Sequence, residues 1–476
     1  MLFSECFNLR RGSGDDWFDP ILETDTELFV DPFLIFRDKQ AAWRKAHARM
    51  IKQYDQIFML LAKAGGKKAS PFRSIAVAQL RFPEPQEFCI GYTAEGVDGA
   101  GGAAGLATQI ARAMEDAIKR GTEHLPHFEL LGIFNEKIGP DRISDLTCTA
   151  LKKEFVDYTV KVAERHSIPT KNMVIKHAGL DSSGAVRELT AALPINPHTG
   201  RAVLLVPERF LRQLPTLNAD DWWQYQLSKA VFNVEVMEGV DKKRIIREAR
   251  RNQRDVYQWS ASMESSAPDP YDLDEDSELL WKWEPESAAY VSAHPMQLKQ
   301  ARNKQEFFDV IDQVCEAFRH YVERDGGWEL LWNEDKTEKK EPATQNLFRG
   351  IAKHYCHANN ISIDREVKLG RGPVDFKFSR GTEFTAHLEV KKLDNGSFWK
   401  GLYTQLVLYM QGDEVKDGWI MGIRFRPSGV SKERAVKLPA EVKQTGKEHN
   451  LNLRYALVDA QRKPSASKAP GKSKPN

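Results

Sequence analysis

The chain has 476 residues, with 69 Lys and Arg against 67 Asp and Glu, a formal charge of +2, 41% hydrophobic residues and 29% charged ones. That is the composition of a soluble protein of two to four domains. No run of about 18 apolar residues occurs, and the opening MLFSECFNLRRGSGDDW lacks the apolar core of a signal peptide, so no membrane span is expected and a cytoplasmic location is.

The first part, residues 1–217, mixes strand and helix patterns and reads as an N-terminal α/β domain with a sensing, binding or regulatory role. TELFVDPFLIF reads as a strand followed by an apolar stretch; SIAVAQLRF and RAVLLVP read as strands from their Val, Ile and Leu content. LATQIARAMEDAIKRG reads as a helix, with Leu106, Ile110, Met114 and Ile118 at helical spacing and Gly121 after it. SDLTCTALKKEFVDYTVKVAERH reads as a second helix with Ser144 or Asp145 as its cap. The glycines from Gly96 to Gly105 resemble a phosphate loop imperfectly, and a plain loop is the better reading. Asp31, Asp141 and Asp145 form a suggestive acidic set, but Asp beside Gly, Pro and Ser is more often a cap or turn residue, and Arg142 neutralises one charge.

Between 218 and 295 the composition shifts to a charged helical linker region. Residues 242–254 hold seven Lys and Arg against one Glu, and residues 264–286 hold nine Asp and Glu against one Lys. A solvated helix and a loop account for this; a linker that folds back on a basic surface is the alternative. The third part, 296–458, opens with the amphipathic helix QEFFDVIDQVCEAFRHYVER, in which Phe307, Ile311, Val314, Cys315, Phe318 and Val322 share a face. A second helix, ATQNLFRGIAKHYCHANN, follows Pro342. Its HYCH lacks partner ligands for a metal. The tail 459–476 carries five Lys and Arg, no acid after Asp459, and Pro, Ser and Gly; disorder is expected there.

The chemistry-bearing stretch is GRGPVDFKFSRGTEFTAHLEVKK, Gly370 to Lys392. Read by twos, Val374, Phe376 and Phe378 share one strand face and Asp375 and Lys377 the other. On the following strand Leu388 and Val390 lie on the apolar face, with His387, Glu389 and Lys391 opposite. A turn through Gly381 makes a hairpin and sets Asp375 beside Glu389 and Lys391. Two carboxylates on neighbouring strands repel unless a cation lies between them. A hard divalent ion wants oxygen ligands and keeps its waters. A lysine two residues after the Glu can orient such a water, which is the equipment for hydrolysing a phosphodiester.

Asp375 followed by Glu389-x-Lys391, with PVD in place of PD, resembles the PD-(D/E)XK, or restriction-endonuclease-like, nuclease superfamily. Gln405 and Tyr409 in QLVLY resemble the Q-x-x-x-Y helix element that follows the lysine in RecB-like members. Glu341 lies where such nucleases carry an acidic metal ligand on the preceding helix, with Glu338 as its rival. ISIDREV supplies the first strand of an αβββαβ core. The resemblance covers roughly residues 300–430 and is silent on the first 300. It implies a Mg²⁺ (or Mn²⁺) held by Asp375, Glu389, the Val390 carbonyl and, assisting, Glu341. It implies that Lys391 positions the water or steadies the phosphate, and that Gln405 and Tyr409 orient the lysine or the scissile strand. Arg371, Lys377, Lys392 and Lys400 are candidates for backbone-phosphate contacts.

The fold class expected is therefore α/β, with a restriction-endonuclease-like C-terminal core behind a separate N-terminal α/β domain and a charged linker. The function expected is a metal-dependent DNA endonuclease, suited to restriction and antiviral defence. The alternatives are a non-catalytic DNA-binding or scaffolding protein on a nuclease-like fold, and a repair or recombination nuclease. DNA is the expected partner. Cutting both strands calls for two active sites, so a homodimer is expected. No methyltransferase or helicase motif occurs in the chain, so any such partner is a separate protein.

Overall fold

A computed structural model describes residues 1–81, 84–91, 102–122, 125–135, 138–178, 187–229, 242–277, 279–295, 301–357, 359–368, 373–381 and 384–463, the side chains of 102–104, 106, 227–229, 242, 357, 365–368, 373 and 374 excepted. The glycines from Gly96 to Gly101, Arg371 and the last part of the basic tail lie outside the described residues. The chain forms two compact units, Met1–Asp272 and Leu273–Asn476. Their boundary falls inside the 218–295 stretch, so its basic helices belong to the first unit and its last helix to the second.

The first unit is built mainly of helices, with two small antiparallel strand pairs. Strand β1 (Phe29–Val30) leads into the short helix α1 (Pro32–Phe36). Asp31 caps α1 by accepting from Phe33 N at 3.0 Å, and its other oxygen takes the amide and hydroxyl of Thr216 at 2.9 and 2.5 Å. Its buried carboxylate is thus a cap and a clasp, the commoner use of Asp in such a position. Helix α2 (Ala41–Ala64) follows, then α3 (Pro71–Gln79). Here SIAVAQLRF departs from expectation: Ser74 to Gln79 are helical, started by Pro71 in the first turn, where proline loses no hydrogen bond. Helix α4 (Gly102–Lys119) agrees with its periodicity and buries Ile110 and Met114.

The next predicted helix is two. Helix α5 (Pro140–Ala150) and α6 (Lys152–Arg165) break at Leu151, whose φ of −105° and ψ of 15° leave the helical range. The start also moves: Pro140 opens the first turn, so Ser144 and Asp145 lie inside the helix, not at its cap. Strands β2 (Lys171–Ile175) and β3 (Leu189–Leu193) pair antiparallel, and β4 (Leu211–Arg212) pairs with β1. In RAVLLVP, Ala202 to Pro207 are buried, but the segment forms only isolated bridges, Ala202 to Ile195 and Pro207 to Trp17, rather than a strand. Helix α7 (Ala219–Lys229) precedes α8 (Lys242–Arg251) and α9 (Gln253–Met263), which part at Asn252, φ −115° and ψ 45°.

The second unit carries α10 (Trp283–Ala293), α11 (Lys304–Arg324) and α12 (Glu341–His357), then β5 (Ser362–Lys368), β6 (Pro373–Arg380) and β7 (Phe384–Lys392). A π-helical turn (Gly401–Leu406) runs into α13 (Val407–Gly412), followed by β8 (Asp417–Arg424), α14 (Gly429–His449) and β9 (Asn452–Asp459). The five strands lie in the order β5-β6-β7-β8-β9. The first three pair antiparallel, and β7, β8 and β9 pair parallel, each parallel step bridged by a helical crossover. The predicted apolar face of α11 is buried in full, from Phe307 to Val322.

Phe376 and Phe378 pack against Phe348 of α12, one tilted and one edge-on, with ring centroids 5.1 and 6.5 Å away. Each fully buried Phe stabilises the fold by about 1.5–3 kcal/mol. On the sheet's other face Phe398, Leu402, Leu406, Met410, Ile420 and Leu438 form a second buried cluster. Strand β7 is the middle strand and is buried on both faces from Ala386 to Lys391. The row of His387, Glu389 and Lys391 therefore lies beneath the π-turn and α13, not against solvent.

Candidate active site

Strand alternation sends Glu389 and Lys391 to the same face of β7, while Leu388 and Val390 point into the aromatic layer. The β6–β7 ladder runs from Arg380 opposite Phe384 to Phe376 opposite Leu388. One residue further, the Asp375 side chain takes the place of a ladder acceptor: its Oδ2 receives the Val390 N–H at 2.7 Å. A buried amide that would otherwise lack a partner is satisfied, and the carboxylate is fixed beside Glu389.

Lys391 gathers the group. Its Nζ lies 2.7 Å from Glu341 Oε1, 3.2 Å from Glu389 Oε1 and 4.0 Å from Asp375 Oδ2. Glu341 opens α12, so its carboxylate also sits where the helix dipole favours negative charge. Its rival Glu338 is engaged elsewhere, bound through one oxygen by Arg426 Nε and Nη2 at 3.0 and 2.6 Å.

Burial dominates the protonation of this group. Glu389 is 1% exposed, and burial followed by the nearby Asp375 pushes its carboxyl up to about 8, against the pull of Lys391. Burial draws the Lys391 ammonium down, but Asp375, Glu389 and Glu341 together outweigh it and hold the group above its ordinary value. Were all three carboxylates ionised, the group would carry a net charge of −2 around one ammonium; the proton that burial favours on Glu389 lowers it to −1. Glu389 Oε2 and Glu341 Oε2 are both buried and have no hydrogen-bond partner. An unpaired buried carboxylate oxygen is costly unless a proton or a cation meets it. The donor set thus suits a hard divalent cation, which takes one or two carboxylates and completes its shell with carbonyl and water oxygens. Among the described residues no three His, Cys, Asp or Glu side chains form a ready-made ligand cage.

Two further residues come to the same place. Tyr409 is buried on α13, and burial and then Glu389 raise its phenol, while a hydrogen bond with Gln405 acts the other way. Gln405 lies in the π-turn, the kind of local widening often found at functional sites. The structure also brings in a residue that sequence reasoning missed. Gly401 begins the π-turn directly over Lys391, and a Cβ placed there would lie 2.9 Å from Lys391 Cγ. Its only sequence signal was a glycine ten residues after the lysine, which no periodicity marks.

The phosphate-contact candidates separate. Lys377 donates to Asp413 Oδ2 at 2.6 Å, which also lies 3.0 Å from the buried His387 Nε2. Lys392 donates to the Lys339 carbonyl at 2.5 Å and covers the Phe425 ring at 4.8 Å. Both ammoniums are thus engaged within the protein, whereas Lys400 is exposed.

In the first unit, Asp145 is raised by burial and then by Asp141 and Glu84, with Arg142 opposing at 3.7 Å. Asp31 has its own partners and does not enter that balance. A separate buried group is Glu129 with His127, whose Nδ1 lies 3.6 Å from Glu129 Oε1. Neither Glu129 oxygen has a hydrogen-bond partner, and burial, then Asp31, pushes its carboxyl up to about 8.

Residues 8–218 match a family described as a domain of unknown function (DUF8370), and residues 307–427 match a second, also described as a domain of unknown function (DUF8371). No curated protein and no solved structure matches the chain. The second matched segment contains Glu341, Asp375, Glu389, Lys391, Gln405 and Tyr409 together. No described helix is long and apolar enough to cross a membrane.

Proposed function

We propose that the second unit is a metal-dependent nuclease of the PD-(D/E)XK kind that hydrolyses DNA phosphodiester bonds. The observation that supports this most is the Lys391 ammonium within 2.7–4.0 Å of three carboxylates that outnumber it. A structural ion pair needs one acid; this group carries two more, and one of the three, Glu389, is fully buried.

Asp375, Glu389 and the Val390 carbonyl would hold a Mg²⁺ or Mn²⁺, with Glu341 assisting. Such an ion, when bound, supplies Lewis-acid polarisation of the phosphoryl oxygen and a more acidic water. The chain's own groups supply the rest. Lys391 stays cationic, so it donates to a phosphoryl oxygen or orients the attacking water as negative charge develops. Asp375 is held in place by the Val390 amide, so no conformational entropy is spent on aligning it. Gln405 and Tyr409, hydrogen-bonded to each other beside the group, would orient the lysine or the scissile strand. Water adds to phosphorus, the bond to the leaving sugar oxygen breaks, and that oxygen leaves with a proton.

The test is cleavage of supercoiled plasmid by the purified chain in EDTA, Mg²⁺ or Mn²⁺, beside Glu389→Ala. Metal-dependent nicking or linearisation that the substitution abolishes is expected. Equal cleavage by a folded Glu389→Ala protein would falsify the reading. A second reading follows from the same contacts: Lys391 is already bonded to Glu341 and Glu389, as in a nuclease-like fold that binds DNA without cutting it. Salt-dependent binding with no cleavage in any divalent metal would select that reading. A role in restriction and defence goes with the first reading, and nicked or branched substrates separate it from repair.

A further inference from the structure

The first unit contains an open cleft of about 630 Å³ lined by Arg120, Arg250, Arg251, Gln253, Arg254 and Tyr257. None of the residues lining it is acidic. Helix α8 turns Ile245, Ile246 and Ala249 inward and leaves Lys243, Arg244, Arg247 and Arg251 exposed. The cleft is partly preorganised. Arg250 Nε donates to the Phe134 carbonyl at 2.7 Å, which fixes that guanidinium at the wall. Tyr257 donates to Thr122 Oγ1 at 3.1 Å, and Thr122 in turn meets Gln253 Oε1 at 3.4 Å.

Donors here outnumber acceptors. The exposed Arg251 pairs with the half-buried Glu248 at 3.0 Å, and the exposed Arg254 has no carboxylate partner among the described residues. Gln253 Nε2 is buried with no hydrogen-bond partner. Four guanidiniums and a spare amide around one cavity call for a ligand rich in anionic oxygens. Guanidinium is the side chain best matched to phosphate, through paired N–H donors. The cleft is wide and follows two successive helices, so it suits an extended chain of phosphates better than one enclosed group.

We infer that this cleft binds the phosphodiester backbone of a nucleic-acid strand. It is a binding site separate from the Asp375 group and does not depend on cleavage there. Contacts of this kind confer affinity without sequence preference and carry a defined salt dependence.

The test is fluorescence anisotropy of a short fluorescein-labelled DNA duplex with the full chain, in EDTA so that no cleavage intervenes, across a salt series. Arg120→Gln/Arg254→Gln removes two exposed guanidiniums. Lys67→Gln/Lys68→Gln removes the same charge from an exposed turn outside the cleft. The cleft variant is expected to raise Kd about tenfold or more and to lower the slope of log K against log salt by about 1–2, with the control unchanged. Arg254→Gln alone, which breaks no carboxylate contact, is expected to lower the slope by about one and guards against a folding artefact. Affinity and slope equal to wild type in both cleft variants would overturn the inference. So would displacement of the duplex by ATP or inorganic pyrophosphate beyond that of sodium chloride at equal ionic strength, since the cleft would then be a pocket for a small polyphosphate.

Discussion

Asp375 Oδ2 accepts the Val390 amide at 2.7 Å, so one carboxylate both closes the sheet and faces the site. The two roles come apart by substitution. Asp375→Asn keeps an acceptor for the amide and loses the charge; Asp375→Ala loses both. Asn is expected to abolish plasmid cleavage with little change in Tm. Ala is expected to abolish cleavage and also to cost about 1–3 kcal/mol, the penalty of a buried donor left unpaired. Thermal melts beside cleavage assays check this. Cleavage retained by Asn would remove Asp375 from the chemistry and leave it a structural clasp.

Gly401 makes room for the stem of Lys391. Gly401→Ala puts a methyl carbon 2.9 Å from Lys391 Cγ, closer than side chains tolerate. The stem must shift, and with it the ammonium that Glu341 and Glu389 hold. Overpacking of this kind costs about 1–3 kcal/mol, and a displacement near 1 Å in a catalytic group costs about a hundredfold in rate. A ten- to hundredfold loss in cleavage by a protein that still melts cooperatively is expected. Unchanged cleavage rates would show that the lysine's position is not critical.

The site was readable where a short period decides position. Alternation on two strands and one hairpin turn set Asp375, Glu389 and Lys391 together, and helical spacing set Gln405 and Tyr409 on one side. What that reading missed was depth. A strand covered on both faces usually reads as continuous apolar residues, and β7 does not, because its His387, Glu389 and Lys391 form a buried polar layer. Gly401 had no signal, since close approach of an element distant in the fold leaves no period. In the first unit SIAVAQLRF misled because a short apolar run fits strand or helix alike; Pro71 in front of it was the better guide. The breaks at Leu151 and Asn252 occur without Pro or Gly and leave no compositional trace.

Glu129 gives a pH prediction for the first unit. Its carboxyl is fully buried and raised to about 8, so the folded state keeps a proton that the unfolded state gives up near the ordinary value. Stability contributed by the neutral acid is present below about pH 4.5 and is lost as pH rises toward about 8. Glu129→Gln replaces the neutral acid with an uncharged amide of the same shape. Calorimetry is expected to show little difference from wild type near the low end of that window. Toward its upper end the variant should be more stable by on the order of 2–4 kcal/mol. A variant less stable at the upper end would mean that the carboxylate is charged and compensated in the fold.

Lys391→Met removes the ammonium but keeps most of the stem's volume. Asp375, Glu389 and Glu341 then face one another without their shared cation. Breaking a buried pair by deleting one partner costs about 3–5 kcal/mol, and the partial exposure of Glu341 and Asp375 brings the expected loss to the low end of that range. In EDTA the variant should melt below wild type. Divalent metal should raise its Tm by more than it raises wild type's, since a cation bound only to the folded state stabilises it by mass action and here also replaces a lost charge. Cleavage should be absent at every metal concentration, because the ion restores charge but not the lysine's hydrogen-bond donors. A metal-induced Tm rise no larger than that of wild type would count against cation binding by these carboxylates, and restored cleavage would confine Lys391 to a structural ion pair.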